Sequence, residues 1–121
     1  MKTVFLFPGQ GSQYVGMGKD LYEAYPAVQN LYDRSEEILG FPLKKISFEG
    51  PEEDLKQTRY TQPALYVHSM AVFQLLKEKR IMPDAAAGHS LGEYSAFAAA
   101  GAFSFEEGLQ IVKIRGEQMQ Q

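Results

Sequence analysis

Residues 3–7, Thr3-Val4-Phe5-Leu6-Phe7, are β-branched and aromatic with no alternation of polar and apolar positions. Such a run predicts a strand covered on both faces, as in a parallel sheet. Pro8-Gly9 stops it, and residues 10–18 offer glycines and little to pack, which predicts a loop. The period changes after Lys19. Over residues 19–40, Leu31, Ser35, Ile38 and Leu39 fall on one side of a helical pattern. Pro26 divides that stretch into two helices, and Gly40 supplies a C-terminal stop. Residues 41–60 read as a polar connector with a short helix after Pro51.

The longest helical pattern covers residues 61–80. Ala64, Val67, Ala71 and Leu75 form one row and Leu65, Val72 and Leu76 the next, so its apolar face is wide. Pro63 falls in the expected first turn, where a proline is tolerated. Pro83-Asp84 breaks the chain, and Ala85-Ala86-Ala87-Gly88-His89 is short and small enough for a second buried strand. Residues 90–100 predict a small-residue helix ended by Gly101. Ser104 with Glu107 three residues on forms a capping box that opens a last helix towards Gln121. Strand, helices, strand, helix is the start of an α/β fold with a parallel sheet.

Gly88-His89-Ser90-Leu91-Gly92 is a G-x-S-x-G sequence between an expected strand and an expected helix, the context a nucleophile elbow requires. A turn that tight leaves almost no room beside the serine, hence Gly88 and Gly92. It also sets the Leu91 N–H at a helix N-terminus, where free donors favour a developing oxyanion. A serine hydroxyl needs a base to take its proton. Of the two histidines, His89 points to the opposite face of its strand from Ser90, and His68 sits mid-helix between Ala64 and Val72 as a packing residue. No general base is evident in these residues.

Gly9-Gln10-Gly11-Ser12-Gln13 also follows a strand. The dinucleotide fingerprint fails because Tyr14 stands where its third glycine belongs, and the P-loop pattern fails because Met17 stands where its lysine belongs. Two readings remain: a plain loop shaped by Gly9 and Gly11, or a turn that supplies a second oxyanion donor. Arg115 is out of place in a different way. It lies four residues after Ile111 and four before Met119, within an apolar stripe, where an unpaired guanidinium is costly. Its planar fork suits a carboxylate, either of a protein glutamate or of a dicarboxylic substrate.

Composition narrows the chemistry. Fifteen acidic residues against twelve Lys and Arg in 121 residues give a net charge of −3, which offers no basic surplus for a phosphate backbone. The absence of Cys removes a disulfide scaffold, a thiolate metal site and a cysteine nucleophile. No histidine pair, carboxylate cluster or EF-hand spacing calls for a metal. The longest early apolar run is residues 4–7, too short for a signal peptide or a membrane span, so the expectation is a cytoplasmic protein with no nucleic-acid or membrane partner.

Phe7-Pro8-Gly9-Gln10-Gly11-Ser12-Gln13, Thr61-Gln62-Pro63-Ala64-Leu65, Gly88-His89-Ser90-Leu91-Gly92-Glu93-Tyr94 and Arg115-Gly116 with Met119-Gln120 occur in that order. Together they resemble the malonyl-CoA:acyl carrier protein transacylase family, which includes the acyltransferase domains of fatty acid and polyketide synthases. The resemblance implies transfer of a malonyl group from malonyl-CoA to the phosphopantetheine thiol of acyl carrier protein, without a cofactor, through an ester on Ser90. It implies backbone oxyanion donors at Gln10 and Leu91, and Arg115 as the partner of the malonyl carboxylate. Gly9, Gly11, Gly88 and Gly92 shape the two turns, and Gln62 and His89 are candidate pocket-lining residues. Leu91 directly after the nucleophile is similar to malonyl-using members, whereas methylmalonyl-using relatives tend to carry Gln there.

Family members are more than twice this long. The resemblance therefore implies that residues 1–121 form the N-terminal part of an α/β-hydrolase-like large subdomain, with parallel strands and flanking helices. The ferredoxin-like small subdomain and the catalytic histidine would lie outside it, and these residues alone would not turn over substrate. Two alternatives stay open. A serine ester or thioester hydrolase would use the same elbow without needing Arg115, and a non-catalytic piece would be a truncated product or a binding module that holds acyl-CoA weakly.

Overall fold

Both expected strands form, and they pair with each other in parallel: β1 (Val4–Phe7) and β2 (Ala85–Gly88), with Val4 opposite Ala85 and Phe7 opposite Gly88. The computed structural model describes residues 2–120. Between the strands run α1 (Lys19–Ala24), α2 (Pro26–Leu39), α3 (Leu43–Glu49), α4 (Glu52–Leu55) and α5 (Thr58–Glu78). After β2 come α6 (Gly92–Ala99) and α7 (Phe105–Gln120). The last expected helical residue, Gln121, lies outside the described residues.

Both strands depart from the expected burial: β2 is exposed at Ala85 and Ala87 and half-buried at Ala86 and Gly88, and β1 is not covered on both faces. Phe5 is half-buried, edge-on to Phe73 of α5 at 6.2 Å between ring centroids, and Phe7 is buried. Val4 and Leu6 are 55% and 77% exposed. Successive side chains of a strand point to opposite faces, and among the described residues only one face of β1 is covered. The apolar run is that of a two-faced strand, and these residues supply one cover.

The helical stretches follow their punctuation. Pro26 occupies the first turn of α2, and Gly40 takes φ 76° as its C-cap. Ser104 and Glu107 form the reciprocal capping pair at the start of α7, with the Glu107 N–H donating to Ser104 Oγ at 3.1 Å and the Ser104 N–H to Glu107 Oε1 at 3.0 Å. The connector at residues 41–60 is more ordered than its polarity suggests. α3 buries Leu43, Ile46 and Ser47 while Lys44 pairs outward with Asp33 at 2.6 Å, so its buried face is only three residues wide and two of them are apolar. α5 begins at Thr58 rather than Thr61, which moves Pro63 from a first turn into the helix interior.

α5 is the central element, and its most extensive packing is against α7. Residues 61–67 are all buried, as are Ser69, Met70 and Ala71. Tyr66 stacks on Phe105 at 5.4 Å and donates its hydroxyl to the Phe105 carbonyl at 2.9 Å. Gly108 makes that approach possible, because a Cβ there would meet the Tyr66 ring and hydroxyl. Tyr32 of α2, fully buried, packs against Tyr22 and Phe48.

His68 takes the structural role expected of it, half-buried on α5 beside Gly18 and Tyr32. Burial lowers its pKa, and the nearby Asp20 carboxylate opposes that only in part. The folded state therefore binds fewer protons than the unfolded state below the ordinary histidine pKa of about 6.5. The stability His68 contributes is complete above that pH and is lost as pH falls through the folded pKa. His68→Gln is expected to flatten the fall in stability as pH drops below about 6.5. Parallel denaturant titrations of the two proteins across that range check this.

Candidate active site

Phe7 and Gly88 end their strands side by side, so the two glycine-containing turns leave the same edge of the sheet. That carboxyl edge of parallel strands is where α/β folds place ligands. The glycines are steric necessities. A Cβ on Gly88 would meet the Gly92 carbonyl, a Cβ on Gly92 would meet the Phe7 carbonyl, and a Cβ on Gly9 would meet the His89 carbonyl. All three collisions are with backbone, which no side-chain rotation relieves. Gly11 has another reason: it takes φ 112°, in open space. Gly92→Ala is expected to destabilise the fold by about 3 kcal/mol or more, at the upper end of overpacking costs. A chemical denaturation midpoint measures it, and a shift of under a third of that would contradict the close approach of α6 to β1.

Ser90 sits at the turn between β2 and α6 with φ 55°, the left-handed region that non-glycine residues rarely occupy. The expected helix over residues 90–100 therefore starts two residues later, at Gly92, and Ser90 is its strained approach. Strain of this kind costs about 1–3 kcal/mol and is retained where geometry matters. Ser90 is exposed, while the Leu91 side chain is fully buried. The Glu93 and Tyr94 N–H groups donate to Ser90 and Leu91 carbonyls at 3.0 Å each. Among the described residues, no hydrogen bond takes up the backbone N–H of Leu91 or of Gln10. The Gln10 side chain is held elsewhere, donating Nε2 to Thr58 Oγ1 at 3.2 Å.

Arg115 reaches this serine. Its Nη2 donates to Ser90 Oγ at 3.2 Å and its Nη1 to Gln62 Oε1 at 2.8 Å. The guanidinium carbon lies 5.4 Å from the centre of the Tyr94 ring. Among the described residues, no carboxylate lies within salt-bridge distance of Arg115. Of the two readings open for this arginine, a protein glutamate is thus not the partner these residues provide. Gly116 lets α7 settle on the start of α5, since a Cβ there would stand 3.1 Å from Arg59 Cα.

The structure brings Ser90, Arg115 and Gln62 together and leaves the histidines apart from them. His89 is exposed with its ring beside Gly9, and neither imidazole hydrogen-bonds Ser90 Oγ. Two participants had no role at the level of sequence. Tyr94 provides the ring beside Arg115, and Met119 Sδ accepts a hydrogen bond from Gln62 Nε2 at 3.2 Å. Both were signalled by spacing: Met119 is one helical turn beyond Arg115, and Tyr94 is one turn into the helix after Ser90. Among the described residues, no cluster of side chains could hold a metal ion, and no helix is long and apolar enough to cross a membrane.

An α/β chain with a strained serine between a strand and a helix, flanked by obligatory glycines, has the backbone form of a nucleophile elbow. Comparison with known proteins narrows the class. The acyl transferase domain family matches residues 4–121, and the chain belongs to that family. It is 53% identical over 118 residues to the malonyl CoA-acyl carrier protein transacylase of Bacillus subtilis (strain 168), covering 98% of this chain and 37% of the relative. The crystal structure of the Synechocystis sp. PCC 6803 malonyl-CoA:ACP transacylase superposes with a TM-score of 0.95 at 50% identity, over 99% of this chain and 40% of that one. A malonyl-transacylase solved in complex with its type II polyketide synthase acyl-carrier protein superposes with a TM-score of 0.93 at 42% identity, over 99% and 39%. The chain thus spans about two fifths of the length of these relatives and matches the N-terminal part of the acyltransferase fold.

Proposed function

We propose that this chain supplies the nucleophile, the oxyanion donors and the carboxylate anchor of a malonyl-CoA:acyl carrier protein transacylase serving fatty acid or polyketide biosynthesis. One observation carries the reading: Arg115, with no carboxylate of its own among the described residues, hydrogen-bonds the Ser90 hydroxyl. A cation so close to a nucleophile suits an acyl group that bears its own carboxylate. A simple ester hydrolase has no use for it.

In the first half-reaction Ser90 Oγ attacks the thioester carbonyl of malonyl-CoA. The oxyanion that develops accepts the Gln10 and Leu91 N–H groups, the tetrahedral species collapses, and coenzyme A leaves with the proton. The malonyl ester then stays on Ser90 with its free carboxylate on Arg115. In the second half the phosphopantetheine thiol of the carrier protein attacks the ester and restores Ser90. Every transferred atom comes from the donor, so the reaction requires no cofactor.

The base for Ser90 comes from outside these 121 residues, since neither His68 nor His89 reaches Oγ. We place residues 1–121 as the N-terminal part of the large, α/β-hydrolase-like subdomain in a polypeptide of family length. The test is incubation with malonyl-CoA and holo carrier protein, with malonylated carrier read by mass spectrometry. A family-length protein bearing this chain is expected to transfer catalytically, and the 121 residues alone are not. Sustained transfer by the 121 residues would overturn the assignment of the base. Hydrolysis of malonyl-CoA without carrier acylation would favour the hydrolase.

A further inference from the structure

Gln62 is a polar residue in a place that disfavours one. It lies on α5 with none of its surface exposed, flanked by Thr61 and Pro63, which are buried too. A buried amide is retained without cost only if both its ends are satisfied. Gln62 manages this in one orientation. Oε1 accepts from Arg115 Nη1 at 2.8 Å, and Nε2 donates to Met119 Sδ at 3.2 Å. Turning the amide over would set its NH2 against guanidinium N–H groups, donor against donor, and its oxygen against sulfur, acceptor against acceptor.

The consequence falls on Arg115. A free arginine side chain samples many rotamers, and fixing it when substrate arrives subtracts from affinity. Here one terminal nitrogen is already held by Gln62, and the guanidinium lies beside the Tyr94 ring. The other terminal nitrogen is left pointing at Ser90. The amide is neutral, so it fixes the guanidinium without cancelling its charge. A glutamate would fix it equally well and cancel it.

We propose that Gln62 is the positioning residue for Arg115: buried and locked in orientation by Met119, it aims the guanidinium at the acyl group on Ser90 and so sets selectivity for acyl donors with a free carboxylate. This deepens the function proposed above and rests on Arg115 being the carboxylate anchor.

The experiment compares malonyl-CoA with acetyl-CoA as donors to holo carrier protein, using a family-length protein bearing this chain. Gln62→Glu and Gln62→Met are each expected to lower the malonyl-to-acetyl ratio of kcat/KM at least tenfold, through a raised KM for malonyl-CoA more than a lowered kcat. General damage to the fold would lower both donors together and leave the ratio in place. A ratio within twofold of the parent in both Gln62 variants, while Arg115→Ala lowers it, overturns the role of Gln62. A ratio unchanged in Arg115→Ala overturns the anchor itself. If neither Gln62 variant folds, Met119→Leu decides, because it removes only the sulfur acceptor behind the amide. A fall in the ratio of about threefold supports the proposal, and no change overturns it.

Discussion

Ser90→Ala is expected to abolish malonyl transfer, lowering kcat by about four orders of magnitude or more in a family-length protein, as loss of a serine nucleophile does elsewhere. The fold is expected to survive. Alanine at φ 55° carries much the same backbone strain as serine, and the lost hydroxyl was exposed. Ser90→Gly separates strain from chemistry. Glycine occupies positive φ without penalty, so this variant is expected to be more stable than the parent by about 1 kcal/mol while equally inactive. Intact-mass measurement after exposure to malonyl-CoA, together with denaturation midpoints, reads both effects. An adduct that persists in Ser90→Ala would place the acyl group on another residue. A Ser90→Gly protein no more stable than the parent would mean that the turn stores no strain.

Much of this architecture was legible because local rules and tertiary packing agree. The capping pair at Ser104 and Glu107 forms as its spacing demands, and Pro26 and Gly40 begin and end α2. The elbow could be read because its glycines answer to sterics: every Cβ that Gly88 and Gly92 lack would strike backbone. Where sequence reading failed, a residue's role depended on something distant in the chain. α3 has too few apolar positions to show a period, and it is held by burial of Leu43 and Ile46 against neighbouring helices. Val4 and Leu6 belong to an unbroken apolar run, yet their side of β1 has no cover among the described residues. At the site, Arg115 was conspicuous as a cation in an apolar stripe. Its neutral partners were not, because Gln62 lies 53 residues away on another helix. Nothing in a single sequence links an amide, a thioether and a guanidinium across that distance. The arrangement comes from α7 packing on α5, with Gly116 setting how closely.

Arg115→Ala is expected to act on choice of substrate more than on chemistry. A buried or half-buried guanidinium–carboxylate contact, when one partner is removed, costs about 2–5 kcal/mol, which corresponds to roughly thirty- to several-thousandfold in kcat/KM for malonyl-CoA. Arg115 is half-buried beside Tyr94, and its distance from Ser90 Oγ is 3.2 Å, so the lost contact would be close to the reacting carbon. A fall of about a hundredfold or more for malonyl-CoA is expected. Acetyl-CoA makes no such contact, and for it removal of a cation from the pocket is expected to be neutral or favourable. The two donors should therefore move apart. Arg115→Lys is expected to recover part of the malonyl activity: an ammonium keeps the charge, but it cannot hold Gln62 and a carboxylate with one planar fork. Transfer rates for both donors across the three proteins give the answer, and parallel losses for malonyl-CoA and acetyl-CoA would assign Arg115 to the fold or to Ser90 rather than to the substrate carboxylate.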